Sequence, residues 1–211
     1  YNPRFLRYSL YYPIVVAIFS IISLVGCSMN NANNGLLGTK LSNHQGHEYV
    51  LSDHLGQSIS SRTDNTTVLT FMFTNCTDVC PIVTSKIKKA LKNVEEPSKI
   101  DVHIISVDPE RDSRNSRVSY VNKWELPDNW VYLSGEESDL KMIWDAYFVN
   151  PQKGETDNNP QSIKSLFQER YQVIHTSPVY IIDSSGTPRV IHTNPISPEA
   201  LARDINTVYN R

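Results

Sequence analysis

The sequence predicts an α/β fold, a central mixed sheet flanked by helices with an N-terminal hairpin added to it, and three observations carry that prediction. Two short apolar runs, Val68 to Phe73 and Val102 to Val107, are nearly uninterrupted, the pattern of strands buried on both faces. Between them Ile82, Val83, Ile87, Leu91 and Val94 recur at helical spacing. Further along, strand-like and helix-like segments keep alternating, which implies that much of the sheet is parallel.

The chain begins with an address. Arg4 and Arg7 precede an apolar stretch from about Leu10 to Val25, which closes in Leu24-Val25-Gly26-Cys27, and this order of charged, apolar and small residues reads as an export signal. Leu-x-Gly-Cys resembles a bacterial lipobox, in which the cysteine is lipidated on its thiol, so Cys27 is expected to be an anchor and not a catalyst. The competing expectation is an uncleaved membrane-spanning helix, because the run is close to the lower limit for a span, about 17 to 25 residues. Either way the domain is expected at the cell membrane, on its extracytoplasmic face. It would be held there by an Asn-rich, uncharged linker. The expected division is a leader over 1–27, a flexible linker over 28–40 and one folded domain over 41–211.

Within the domain, Leu41 to Ser61 is broken by Asn43, Gly46 and Gly56 and reads as a β-hairpin or two edge strands. His44, His47 and His54 fall near its turn residues and are expected to be exposed. A helix is predicted from about Asp78 to Val94, with Pro81 in its first turn, where proline is tolerated. After the second central strand, in which His103 is expected to be a packed or edge residue and not a ligand, Ser113 to Trp124 reads as a helix with Val118, Val121 and Trp124 on one face. Trp130 to Leu133 is a short strand, and Glu137 to Phe148 is a third helix carrying Leu140, Ile143, Trp144 and Tyr147. Pro151 to Ser165 reads as a long exposed loop. Strand-like runs follow at about Phe167 to Ile174, Val179 to Asp183 and Pro188 to His192. A last helix from Ser197 to Tyr209 has Ser197 as its N-cap and Pro198 at its first position. Strands and helices in this order are those of a thioredoxin-like fold.

Composition excludes one class. A net charge of −2 over 211 residues, with no long basic run, leaves no footprint for nucleic acid. Three cysteines are too few for a disulfide scaffold, so their placement matters more than their number.

Two of them, Cys76 and Cys80, follow the first central strand in Thr74-Asn75-Cys76-Thr77-Asp78-Val79-Cys80-Pro81. An i, i+4 relation at the start of a helix places their Cβ atoms about 6 Å apart. Such a pair can hold one soft metal ion between two thiolates, or close into a disulfide after a small backbone adjustment. The dipole of the helix N-terminus favours the thiolate that both chemistries need, and Asp78 opposes it locally. The C-terminal end of a central strand is where open α/β sheets place their ligand sites. His175, beside a buried strand, is the candidate third partner, and two thiolates with one imidazole make a strong copper site. By spacing alone a single histidine more often serves packing.

Three stretches together carry a resemblance: Phe-x-Phe-Thr-x-Cys-x-Asp-Val-Cys-Pro at Phe71 to Pro81, Val107-Asp108-Pro109-Glu110-Arg111-Asp112, and Val-x-His-x-x-x-x-Tyr-Ile-Ile-Asp at Val173 to Asp183. They resemble the Sco/SenC/PrrC family of membrane-tethered, thioredoxin-like copper proteins that help assemble the CuA centre of cytochrome c oxidase. The resemblance implies copper as the metal, Cys76, Cys80 and His175 as its ligands, and an oxidase subunit as the partner. Asp108 and Asp112 are expected to be structural, capping the second helix and shaping the site wall, because carboxylates are poor partners for Cu(I). Thr77 departs from the proline common in the family after the first cysteine. Ile174 stands where many relatives carry an acidic residue that would support the histidine. Pro178 has the position of the cis-proline that faces the redox cysteines of thioredoxins, so a cis Ser177-Pro178 bond is a further expectation.

Two functions compete at this point. One is a metallochaperone that is not an enzyme and passes copper by ligand exchange. The other is an extracytoplasmic thiol–disulfide reductase, with Cys76 attacking and Cys80 resolving, which would need a reductant as a further partner. A peroxidase is a weaker third, since no arginine sits in the cysteine motif.

Overall fold

A computed structural model of the protein describes residues 35–155 and 171–210. The predicted leader, Cys27, most of the linker, and the stretch from Phe167 to Arg170 lie outside the described residues. Among the described residues no helix is long and apolar enough to cross a membrane.

The chain forms β1 (Thr39–Lys40), β2 (Val50–Ser52), β3 (Ser58–Ser60), β4 (Thr66–Met72), α1 (Val79–Leu91), β5 (Ile100–Ser106), α2 (Arg114–Lys123), β6 (Trp130–Leu133), α3 (Glu137–Ala146), β7 (Gln152–Glu155), β8 (Tyr171–Ile174), β9 (Val179–Ile182), β10 (Pro188–His192) and α4 (Pro198–Tyr209). Six strands make the main sheet in the order β1-β10-β9-β4-β5-β6. β4, β5 and β6 run parallel, whereas β9 joins β4 antiparallel, so the sheet is mixed and the fold thioredoxin-like. β2 and β3 form the expected N-terminal hairpin.

β4 is central because all seven of its residues are buried. Leu69 and Phe71 are wholly inaccessible, each worth about 1.5–3 kcal/mol of burial. Thr70, equally buried, needs a partner and finds one, as its hydroxyl donates to the Pro178 carbonyl at 3.0 Å. That bond ties the segment after His175 to the strand before Cys76. α1 covers the sheet with Val83, Ile87 and Leu91, but Ile82 is half exposed and does not belong to the core face predicted for it. α2 also differs. Its fully buried residues are Arg117 and Tyr120, while Val121 and Trp124 are only partly covered, because the Arg117 guanidinium reaches inward to the carbonyls of Ser52 and Tyr132.

α3 ends in a left-handed cap. The Phe148 N–H donates to the Asp145 carbonyl at 3.3 Å and the Val149 N–H to that of Trp144 at 2.8 Å, with Phe148 at φ 53° where glycine is usual. The Phe148 side chain is exposed.

Other expectations need correcting. His54 is buried, its Nδ1 accepting from the Tyr132 N–H at 3.4 Å, and His44 and His47 are half-buried, so turn chemistry misplaced them. The predicted loop at Pro151 opens with β7, paired antiparallel to β8. Among the described residues the cis peptide bond is Asn194-Pro195, so Ser177-Pro178 is trans. At the other edge of the sheet, Asp204 of α4 is wholly buried. Its carboxylate accepts the N–H groups of Leu37 at 2.8 Å and Gly38 at 2.7 Å and lies 2.9 Å from His192 Nε2.

Candidate metal centre

The cysteine loop is the short connection from β4 to α1. The Cys76 N–H donates to the Phe73 carbonyl at 3.2 Å, turning the chain, and the Cys80 N–H donates to Cys76 Sγ at 3.3 Å. The two thiols are therefore gathered at the first turn of α1 and are not joined in a disulfide. They differ in character. Cys76 is partly exposed and its pKa is lowered to about 6, first by the hydrogen bond from the Cys80 thiol and then by the N–H groups of Cys80, Asp78 and Val79, with burial opposing. Cys80 is wholly buried and is pushed far the other way, because its proton serves Cys76 and because burial and the nearby thiolate disfavour a second charge. At neutral pH the pair shares one proton. Asp78 is exposed and its side chain makes no cap bond, so it contributes to Cys76 through its backbone N–H.

The loop rests on a carboxylate. Asp112 Oδ1 accepts the Thr74 N–H at 2.8 Å and the Thr74 hydroxyl at 2.7 Å, and its Oδ2 accepts the hydroxyls of Ser106 at 2.6 Å and Tyr132 at 3.1 Å. Burial nevertheless holds its pKa above the ordinary carboxylate range. Asp112 thus supports the cysteine loop from behind and does not line the cavity, and neither it nor Asp108 caps α2. Ser113 is the N-cap, accepting the Ser116 N–H at 3.2 Å.

His175 follows β8 directly. Its Nδ1 lies 2.7 Å from the Thr176 carbonyl, and since a carbonyl only accepts, Nδ1 carries the proton and Nε2 keeps its lone pair. Burial lowers its pKa, which keeps the ring neutral near pH 7. The ring meets Phe73 edge-on with centroids 5.8 Å apart. His175 and Cys76 line one cavity of about 400 Å³, together with Phe73, Asp78 and Val173. Cys80 is not part of that lining. Among the described residues no three His, Cys, Asp or Glu side chains stand close enough together to hold a metal ion. The fold brings the cavity to two of the three predicted residues and keeps the third wholly buried in the first turn of α1, beside Cys76. Two cysteine sulfurs and one neutral imidazole with a free Nε2 are donor types that suit a soft, monovalent copper ion, provided that both sulfurs are thiolates.

Sequence reasoning missed Tyr171 and Arg111, which join the two halves of the site. The Arg111 guanidinium lies 3.9 Å over the Tyr171 ring and donates to the Tyr171 carbonyl at 3.0 Å. Arg111 stood out in the Asp-Pro-Glu-Arg-Asp motif, but Tyr171 is 60 residues away, and no spacing links the two.

A thioredoxin-like domain with one low-pKa thiol beside a buried one after its central strand, and a histidine across one cavity, defines a class of thiol-bearing thioredoxin-like proteins. The profile of the SCO1/SenC family matches residues 38–210, and the chain belongs to that family. It is 30% identical over 152 residues to the human protein named Protein SCO1 homolog, mitochondrial, covering 69% of this chain and 43% of that one. The chain spans about half the length of the curated relatives it matches. Among solved structures, ScoI of Bradyrhizobium japonicum with copper bound superposes with a TM-score of 0.65 at 24% identity, over 78% of this chain and 99% of that one. BsSco, described as carrying a disulfide switch and as a member of the Sco family of cytochrome c oxidase assembly proteins, gives 0.62 at 20% identity, over 82% and 97%. These likenesses establish the fold.

Proposed function

We propose that this chain is a copper metallochaperone that holds copper as cargo through Cys76, Cys80 and His175 and passes it to the subunit bearing the CuA centre of cytochrome c oxidase. The observation that carries the reading is the shared cavity, with an ionised Cys76 on one wall and the Nε2 lone pair of His175 available on the other. Family membership and the copper-bound ScoI structure support the choice of metal, and the description of BsSco supports the choice of client. Loading requires Cys80 to give up its proton and turn towards the cavity, a local change at the first turn of α1. The lipid anchor at Cys27 and an extracytoplasmic location complete the reading, supported by the Leu-x-Gly-Cys order. Mass spectrometry of the membrane-extracted protein should find the lipid, and Cys27→Ala should release the protein from the membrane fraction.

The test is titration of the reduced protein with Cu(I) against a competing chelator. One equivalent should bind. Cys76→Ser or Cys80→Ser should abolish tight binding, and His175→Ala should weaken it by tenfold or more. Absence of stoichiometric binding by the unaltered protein sinks the reading.

One observation favours a second reading, a thiol–disulfide reductase. A partly exposed, low-pKa Cys76 backed by a buried Cys80 is the geometry of an attacking and a resolving thiol. The Cys76 thiolate would attack a client disulfide and release one client thiolate. Cys80 would then attack Cys76 Sγ, release the second, and leave the pair oxidised until an external dithiol reduces it. Such an enzyme needs no imidazole, so His175→Ala should leave it active.

A further inference from the structure

The loop Asp108 to Asp112 grips both ligand-bearing segments, one with each end. At one end Asp112 holds Thr74, two residues before Cys76, through both its N–H and its hydroxyl. At the other, Asp108 is wholly buried, pairs with Arg111, and accepts the Tyr171 hydroxyl at 2.6 Å. Tyr171 opens β8, the strand whose end carries His175. The Ser106 hydroxyl joins the two ends, donating to Asp112 at 2.6 Å and accepting the Asp108 N–H at 3.1 Å. Glu110 adds an outer contact, receiving Lys153 of β7 at 2.8 Å and the Tyr171 hydroxyl at 3.1 Å.

Arg111 does more than neutralise Asp108. Its guanidinium lies 3.9 Å from the centroid of Tyr171 and 5.8 Å from that of Phe73, and Phe73 in turn meets the His175 ring at 5.8 Å. Tyr171, Arg111, Phe73 and His175 therefore form one continuous row of contacts, whose last step is edge-on. Arg111 holds the strand that delivers the histidine and the ring the histidine rests against. A planar cation suits that place and an ammonium does not.

We propose that Arg111 and Tyr171 are positioning residues that set the separation of His175 from the cysteine loop. The inference rests on the copper reading above, and its test is built to separate the two. Reduced full chain is titrated with Cu(I), and the Cu(II) form is examined by electron paramagnetic resonance for the imidazole nitrogen signal. The contact between the Phe73 and His175 rings is read by NMR without metal. Arg111→Met should lose the ring contact and the nitrogen signal and weaken Cu(I) binding about tenfold. Arg111→Met combined with His175→Ala should bind no more weakly than His175→Ala alone. Tyr171→Ala should behave like Arg111→Met, and Tyr171→Phe, which keeps the ring, should restore most of the signal. Should Arg111→Met fail to fold, the two Tyr171 variants carry the comparison. Additive losses in the double variant, or an unchanged ring contact in both Arg111→Met and Tyr171→Ala, overturn the proposal. If the unaltered protein takes up no copper, the functional reading fails and the ring contact alone decides the positioning.

Discussion

Cys76 and Cys80 sit four residues apart yet have opposite acid strengths, because one accepts the hydrogen bonds that the first turn of α1 offers and the other donates into them. A titration of thiol reactivity should show this directly. Iodoacetamide should modify one cysteine with a midpoint near pH 6, and Cys80 should resist until the protein is unfolded. Two equally reactive thiols with midpoints above 8 would contradict the assignment. The spacing of the pair was legible in the sequence, as was its place after a buried strand. The inequality was not, since it depends on which sulfur the helix N-terminus turns inward. His175 was weak evidence by spacing and was named a ligand on the motif resemblance alone; the fold sets it across a cavity from Cys76. His54 shows the reverse error, a turn histidine that the packing of β6 draws into the interior.

At the level of elements, the central strands and helices followed from periodicity, because a strand buried on both faces and a helix buried on one leave distinct patterns. The face of α2 did not, as its inward residue is Arg117, an amphipathic side chain satisfied by two carbonyls. β7 was also hidden, since Gln152-Lys153-Gly154-Glu155 has no apolar alternation and is a strand only because β8 pairs with it. The cap of α3 gives a prediction of its own. Phe148 occupies a left-handed position that costs a residue with a Cβ about 1–2 kcal/mol, part of which glycine forfeits through its freer unfolded chain. Phe148→Gly should therefore raise stability by about 0.5–1 kcal/mol, read as a higher urea midpoint. A drop would mean that the ring's contact with His44, at 5.4 Å, outweighs the strain.

Across the whole molecule, stability should fall on mild acidification. His103 is almost fully buried in β5, with Nδ1 2.8 Å from the Tyr49 hydroxyl, and burial lowers its pKa to about 4, against about 6.5 in an unfolded chain. Between those values the folded protein binds fewer protons than the unfolded one. The contribution is complete above about pH 6.5 and is lost as pH falls towards 4, on the order of 3 kcal/mol. His44, His54 and His175 are displaced in the same direction by burial and add to the slope. Urea unfolding at pH 7 and pH 4.5 should differ accordingly, and His103→Gln should flatten the difference; an unchanged midpoint in the unaltered protein would refute the assignment. The clamp at Asp204 has a mechanical meaning as well. Any pull on the chain ahead of Leu37 meets two charge-assisted hydrogen bonds and passes into α4 and the edge of the sheet, so the load is grounded before it can strain the loop between β4 and α1 that bears Cys76.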